Sequence, residues 1–332
     1  MEKAINILYV PIHLGTLRLD TIRSFDIFIK IKNKKMVLYH AVGEVFTPAI
    51  RENLLDHNIS TLYIRKRDRS QYLSYIEDHL SNILADSTIE TPEKAQIITD
   101  SITNIAKSLF EKPRALTIKR YKSAIFSAMD LVMNDDEVLS NLIRLTSHDF
   151  SAYYHSINVG IFSIGLAKEL LGNDPQHNLK EIAAGFFLHD IGKSLIPFSI
   201  LNKRSPLTEK EWITMKRHPE NGYRILEKYE ALSDEAKVIV LQHHERHDGQ
   251  GYPYGIKGDN IHIYSKICCI ADVFDALTSD RPFKKARGSF EALTIMKNEM
   301  LGEFDPDFFA RFIMLFRKKK YTPKGDESQP YL

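Results

Sequence analysis

The residues best suited to chemistry lie between His189 and Tyr252. The stretch opens with His189-Asp190-Ile191-Gly192-Lys193 and closes with His243-His244-Glu245-Arg246-His247-Asp248-Gly249-Gln250-Gly251-Tyr252-Pro253, with His218 between them. Imidazole nitrogens and carboxylate oxygens spread over several helical segments are the donors a helical bundle uses to wrap metal ions. No cysteine takes part, which argues against a structural zinc knot. Nine of the 13 histidines fall between His148 and His262, within 115 residues, and histidine is the commonest metal ligand. The pattern points to a two-metal hydrolase.

The segments that must carry these groups read as helices. From Ser151 to Leu171, His155, Val159, Phe162 and Leu166 share one stripe, so His155 faces the core. An apolar helix from Leu179 ends at His189-Asp190, with Gly192 expected as its left-handed stop. Thr208 to Glu211 form a capping box that starts the helix delivering His218. Pro219 begins the next helix, so His218 is expected at a junction with its backbone pushed out of the helical region. Ser233-Asp234 cap a helix whose last turn holds His243 and His244. The loop from Asp248 to Asp259 carries four glycines around Tyr252-Pro253, implying close backbone approach or left-handed turns. The helix from Ile270 to Leu277 has one carboxylate on its buried side, Asp272, which needs a partner. Positive charge gathers after it in Ser279 to Lys285, and the tail from Lys318 reads as solvated.

The rest of the chain frames this region. Its 332 residues suffice for a sizeable core and two domains, and 43% hydrophobic with 27% charged residues is ordinary for a globular protein. A net charge of +2 gives no case for a nucleic-acid polymer as partner. Cys268 and Cys269 are adjacent, a geometry unsuited to an ordinary disulfide, so a reducing compartment fits. With no secretory signal and no apolar run of the roughly 20 residues a span needs, the expectation is a cytoplasmic protein without membrane contact. Residues 5–66 read as alternating strand and helix: strands at Asp26 to Lys32, Met36 to Tyr39 and Ile59 to Ile64, and a helix opened by Thr47-Pro48. His13, His40 and His57 are scattered and read as incidental. From Asp68 to Ser147 the pattern turns helical. The expected fold class is mainly α: an all-helical C-terminal bundle preceded by a small α+β domain and a helical linker. The expected divisions are a regulatory, interaction or dimer-forming domain over 1–88, a helical linker over 89–146, the catalytic domain over 147–325 and a tail over 326–332.

Six motifs in order, His-Asp-x-Gly-Lys, Lys-x-His, His-His-Glu-Arg, Asp-Gly-x-Gly-Tyr-Pro, Ala-Asp-Val-Phe-Asp-Ala-Leu-Thr and Arg-Pro-x-Lys, resemble the HD-GYP family of cyclic di-GMP phosphodiesterases, a branch of the HD hydrolase superfamily. The resemblance covers about Ser147 to Phe316. It implies that His155, His189 and Asp272 hold one divalent ion and that His218, His243 and His244 hold a second, with Asp190 bridging. Iron is the metal it favours, and manganese is the alternative. Lys193 would add a cation at the phosphate or leaving oxygen. Arg281 and Lys284 would grip the substrate phosphate, and Tyr252 would line the substrate pocket. The implied reaction is hydrolysis of cyclic di-GMP to pGpG, or onward to GMP, in bacterial second-messenger signalling. The Gly-Tyr-Pro loop implies diguanylate cyclase (GGDEF) proteins as partners.

Three positions depart from the family pattern. Ser151 stands where members with a third metal carry glutamate, so two ions are expected. Phe283 replaces a usual tyrosine, and His247 a usual tryptophan. Phe283 motivates the alternative of a catalytically weak or inactive cyclic di-GMP-binding effector that signals through its N-terminal domain. A hydrolase of another nucleotide phosphoester is the third possibility, against which the Asp-Gly-x-Gly-Tyr-Pro loop argues.

Overall fold

The structure is a computed structural model that describes residues 8–19, 24–31, 35–147, 151–172, 174–203, 205–280 and 285–317. Contacts divide the chain into two compact units, Met1–Lys94 and Ala95–Leu332.

The first unit holds a four-stranded antiparallel sheet: β1 (Tyr9–His13), β2 (Ile27–Lys30), β3 (Met36–His40) and β4 (Thr61–Arg65), in the order β1-β4-β2-β3. β1 is the strand missing from the expectations above. Pro11 at its centre removes a ladder donor and hides the alternation, which is tolerable because β1 lies at a sheet edge and Pro11 is exposed. Helix α1 (Pro48–Asp56) starts as its sequence dictates: the Thr47 hydroxyl accepts from the Ile50 amide, and Pro48 occupies the first turn. Phe25, Ile27, Phe46, Leu54, Leu62 and Ile64 form the buried core, followed by α2 (Arg69–Leu84).

The second unit is helical among the described residues. Helix α3 (Thr91–Glu111) enters it, followed by α4 (Ala115–Asn134) and α5 (Asp136–Arg144). At its centre lie α6 (Ala152–Leu171) and α7 (Leu179–Leu188), which pack on each other. Both are apolar on nearly every face: α6 is buried continuously from Ser156 to Ala167 and α7 from Ile182 to Leu188. A helix hydrophobic all round must be enclosed. α4 covers α7 on one side, while α12 (Ile263–Thr278) and α14 (Pro306–Arg317) cover α6. Between them α8 (Phe198–Leu201), α9 (Glu209–Met215), α10 (His218–Lys228) and α11 (Asp234–Gln242) bring further segments to the centre, and α13 (Ser289–Glu299) follows α12. The protein is thus mainly α, a helical bundle preceded in the chain by a small α+β unit. No described helix is long and apolar enough to cross a membrane.

Candidate metal centre

The site grows from helix ends. α7 stops at Leu188, leaving His189 as its cap and Asp190 just beyond. The last carbonyls of a helix have no intrahelical partner. His189 uses one of them, its Nδ1 donating to the carbonyl of Phe186 at 2.8 Å. His218 does the same to Met215 at the end of α9, at 2.8 Å, and His243 to Val240 at the end of α11, at 2.9 Å. An Nδ1–H spent on a carbonyl leaves Nε2 as a lone-pair donor pointing away from the helix end. His155 comes instead from the first turn of α6, where Ser151 caps the helix by accepting from the Tyr154 amide at 3.2 Å. Ser151 is therefore engaged as a cap, at the position where a third-metal ligand would stand. Asp272 comes from the buried side of α12.

Three local expectations are corrected. Gly192 is not a left-handed stop: it is absent from the positive-φ residues and lies in a short 3-10 turn, Ile191–Leu195. Its role is close approach, since a Cβ there would sit 1.9 Å from the His218 carbonyl oxygen and 2.5 Å from the Gly222 amide. His218 is not outside a helix but opens α10, with Pro219 in the first turn where its missing N–H costs nothing. His243 and His244 follow the last turn of α11, which ends at Gln242. Placing them past the end is what frees the Val240 carbonyl.

All seven residues singled out as ligands converge. Two groups have donor atoms close enough to share one ion: Asp190, His218, His243 and His244, and His155, His189 and Asp190. Asp190 belongs to both. Its Oδ1 lies 3.2 Å from His218 Nε2 and 3.7 Å from His243 Nε2; its Oδ2 lies 3.4 Å from His155 Nε2 and 3.6 Å from His189 Nε2. Asp272 spans the groups from the other side, Oδ1 3.0 Å from His155 Nε2 and Oδ2 3.4 Å from His244 Nδ1.

The donor set fits divalent ions. His218 Nε2 and His243 Nε2 face each other at 3.1 Å although both Nδ1 atoms are committed to carbonyls. His189 Nε2 and Asp190 Oδ1 are buried and make no hydrogen bond among the described residues. Burial, and then the neighbouring imidazoles, hold His243 well below the usual histidine range, and burial pushes His244 down to about 3, so these rings are neutral ligands at pH 7. Burial raises Asp190, but Lys193, His189 and His218 outweigh it and keep the carboxylate ionised. Asp272 is likewise held low, against its burial, by His155 and His244. His155 is the exception: burial lowers it, yet the hydrogen bonds to Asp272 and Asp275 raise it to about 9. Lone pairs and anions crowded together without enough donors call for cations.

The surrounding groups are placed as follows. Lys193 Nζ donates to Asp190 Oδ2. The Tyr252 ring stacks on His244 with centroids 4.6 Å apart, and Lys216 Nζ lies 5.4 Å above the same ring. Gly251 lets that loop pass: a Cβ there would lie 2.4 Å from the Arg246 amide. Arg281 and Lys284, with Phe283, lie outside the described residues. Two participants escaped the sequence. Glu245, 1% exposed, accepts from the amides of Tyr254 at 2.8 Å and Ile256 at 2.9 Å and so clamps the glycine loop. Asp275 makes a second buried carboxylate on α12, with Oδ2 2.7 Å from His155 Nδ1. Its spacing of three from Asp272 could have revealed it, since such residues share a helix face.

Comparison with known proteins agrees with this architecture. The family model described as HD domain matches residues 137–308, and the chain belongs to that family. Within it, the chain is an HD-GYP domain protein. It is 34% identical over 236 residues to a cyclic di-GMP phosphodiesterase of Pseudomonas aeruginosa, covering 67% of this chain and 56% of that one. It is 30% identical over 246 residues to a 3'3'-cGAMP-specific phosphodiesterase of Vibrio cholerae, covering 71% and 51%. The chain thus spans about half the length of these curated relatives. A solved HDG"Y"P protein from Bdellovibrio bacteriovorus shares the fold, with TM-score 0.64 and 23% identity over 93% of this chain and 99% of that one. HD domains bind divalent metal ions, and the two donor groups sharing Asp190 are the candidate site for them here.

Proposed function

We propose that this protein is a metal-dependent phosphodiesterase that opens cyclic di-GMP to pGpG, with GMP as a further product, in bacterial second-messenger signalling. The observation that carries it is the pair of imidazole–carboxylate clusters joined by Asp190. The name of the Pseudomonas relative supplies the substrate. In this reading His155, His189 and Asp272 hold one ion and His218, His243 and His244 the other, with Asp190 between them. Iron is the metal proposed, manganese the alternative, because nitrogen and oxygen donors without thiolate suit both. When bound, two such ions supply an ionised water nucleophile and neutralise charge on the phosphate oxygens.

The side chains do the rest. Asp190 and Asp272 are ionised and fix the positions of both clusters. Lys193, held on Asp190, presents a cation beside them for the phosphate or the leaving oxygen. Tyr252, stacked on His244 with Lys216 over its ring, is assigned to the wall of the substrate pocket at the cluster's edge. Arg281 and Lys284 are assigned the phosphate grip, Arg as a planar fork and Lys as a point charge. The N-terminal unit is proposed as a regulatory or dimer-forming module, the Gly-Tyr-Pro loop as a contact for diguanylate cyclase partners, and the cytoplasm as the compartment.

The Vibrio relative favours a second substrate reading, cyclic GMP–AMP. The test is turnover of both cyclic dinucleotides by anaerobically purified protein loaded with iron or manganese, with Asp190→Ala as control. Product from cyclic di-GMP supports the first reading and product from cyclic GMP–AMP alone supports the second. Full metal loading with nucleotide binding and no product from either refutes catalysis and leaves the effector.

A further inference from the structure

Four of the five imidazoles in the centre stand at or just after helix ends, and three of these take their orientation from an orphan carbonyl three residues back. His155 has no such recourse. It sits in the first turn of α6, where carbonyls are already committed to the helix. Its Nδ1 must find a side chain. The one it finds is Asp275, at 2.7 Å, on the neighbouring helix α12.

We propose that Asp275 is the positioning residue for His155: it selects the ring tautomer and aims Nε2 at the ions, and Asn158 and Ser279 hold it in place to do so. Asp275 is 1% exposed, and its second oxygen is saturated by Asn158 Nδ2 at 2.7 Å and Ser279 Oγ at 3.1 Å. Asn158 is itself fixed, its Nδ2 also donating to the Ser147 carbonyl at 2.7 Å and its Oδ1 accepting from the Ser147 amide at 3.2 Å. A carboxylate oxygen 2.7 Å away with its other oxygen already saturated accepts from Nδ1, so the proton that stays on the ring when an ion is bound is the one on Nδ1. Nε2, 3.4 Å from Asp190 Oδ2 and 3.0 Å from Asp272 Oδ1, is the nitrogen left to act as ligand beside them. The pairing is reciprocal in register. His155 and Asn158 are three residues apart on α6, Asp272 and Asp275 three apart on α12, and each pair lies on one face of its helix. One helix therefore supplies a ligand and the other supplies both a ligand and the group that orients its neighbour's. Outer partners of this kind typically control metal affinity by about 10–100-fold.

The inference rests on the two-metal reading, and the experiment separates the two. Titrate Mn²⁺ into full-length protein by calorimetry and record electron paramagnetic resonance at each equivalent. Wild type should take up two ions and show a spin-coupled pair; uptake of fewer than two overturns the two-metal reading and this proposal with it. Asp275→Asn should weaken one ion by about 10–100-fold, leave the other within about threefold, and replace the coupled signal by that of an isolated ion. In a His155→Ala background, Asp275→Asn should cost nothing further, because the residue acts through that ring. Unchanged affinities in Asp275→Asn, equal weakening of both ions, or an undiminished cost without His155 would each overturn the assignment while leaving the two-metal reading intact. If circular dichroism shows Asp275→Asn unfolded, Ser279→Ala takes its place. The same ion should then weaken by about two- to fivefold, and no change refutes the proposal.

Discussion

The two halves of the candidate metal centre are supported in different ways. Around His218, His243 and His244, two rings hang from main-chain carbonyls at helix ends. Around His155, orientation comes from a side-chain network that joins α6 to α12. A carbonyl is present whatever residue carries it, so the first half tolerates substitution in its supporting residues. In the second half His189 also hangs from a carbonyl, that of Phe186, but His155 is one side chain away from losing its aim. Support by helix ends also makes the first half depend on where helices stop and how closely their backbones meet.

The largest effect should come from the residue both halves share. Asp190→Ala should abolish two-ion binding and lower turnover by about a thousandfold or more, read by metal analysis beside a product assay. Retention of two ions would mean the halves are not joined through this carboxylate.

Gly192→Ala attacks the backbone-supported half alone. Its Cβ would lie 1.9 Å from the His218 carbonyl oxygen, so α10 must move. A cost of about 2–3 kcal/mol, a melting temperature lower by about 5–10 °C, and preferential weakening of one ion are expected. A melt indistinguishable from wild type would show that the close approach is unimportant.

Proton linkage separates His155 from His244 by sign. In chelator-treated protein, the His155 pKa of about 9 lies above the unfolded value, so its contribution to stability is present below about pH 6.5 and lost as pH rises through 9. The His244 pKa of about 3 lies below the unfolded value, so its contribution is present above about pH 6.5 and lost as pH falls toward 3. Thermal melts from pH 4 to about 10 should show His155→Ala removing only the alkaline slope and His244→Ala only the acid one. Exchange of the two slopes would break the comparison. The smallest effect is expected from Ser151→Ala, which removes the cap of α6 and should cost about 1 kcal/mol in the melt, with ion binding changed only on the His155 side.

Much of this centre was legible in the chain because ligand types cannot be disguised. His189-Asp190 and His243-His244 are conspicuous, and His155 and Asp272 announce themselves as polar residues on apolar stripes. What remained hidden depends on distance through space. Nothing local says that Gly192 meets His218, and a glycine after a helix suggests a turn before it suggests a neighbouring backbone. Pro219 marked the start of a helix, as found, but the expectation that it would expel His218 failed because His218 is itself the first residue of α10. Asp275 was readable from its spacing, but its partner lies 120 positions earlier. Glu245 passed as part of a motif because its work, holding two loop amides, concerns residues still to come in the chain. In the first unit, the outer strand Tyr9–His13 was masked by Pro11.

The meeting of Gly192 with His218 and Gly222 has one more consequence. The chain leaves the imidazole–carboxylate cluster at Lys193 and returns to it by Lys216, with one ammonium resting on Asp190 and the other over Tyr252. Everything between is a handle riveted at both ends. Two of its apolar side chains, Phe198 and Trp212, are exposed, so the side chains that face solvent here lie between two anchored ends and are not among those that anchor them.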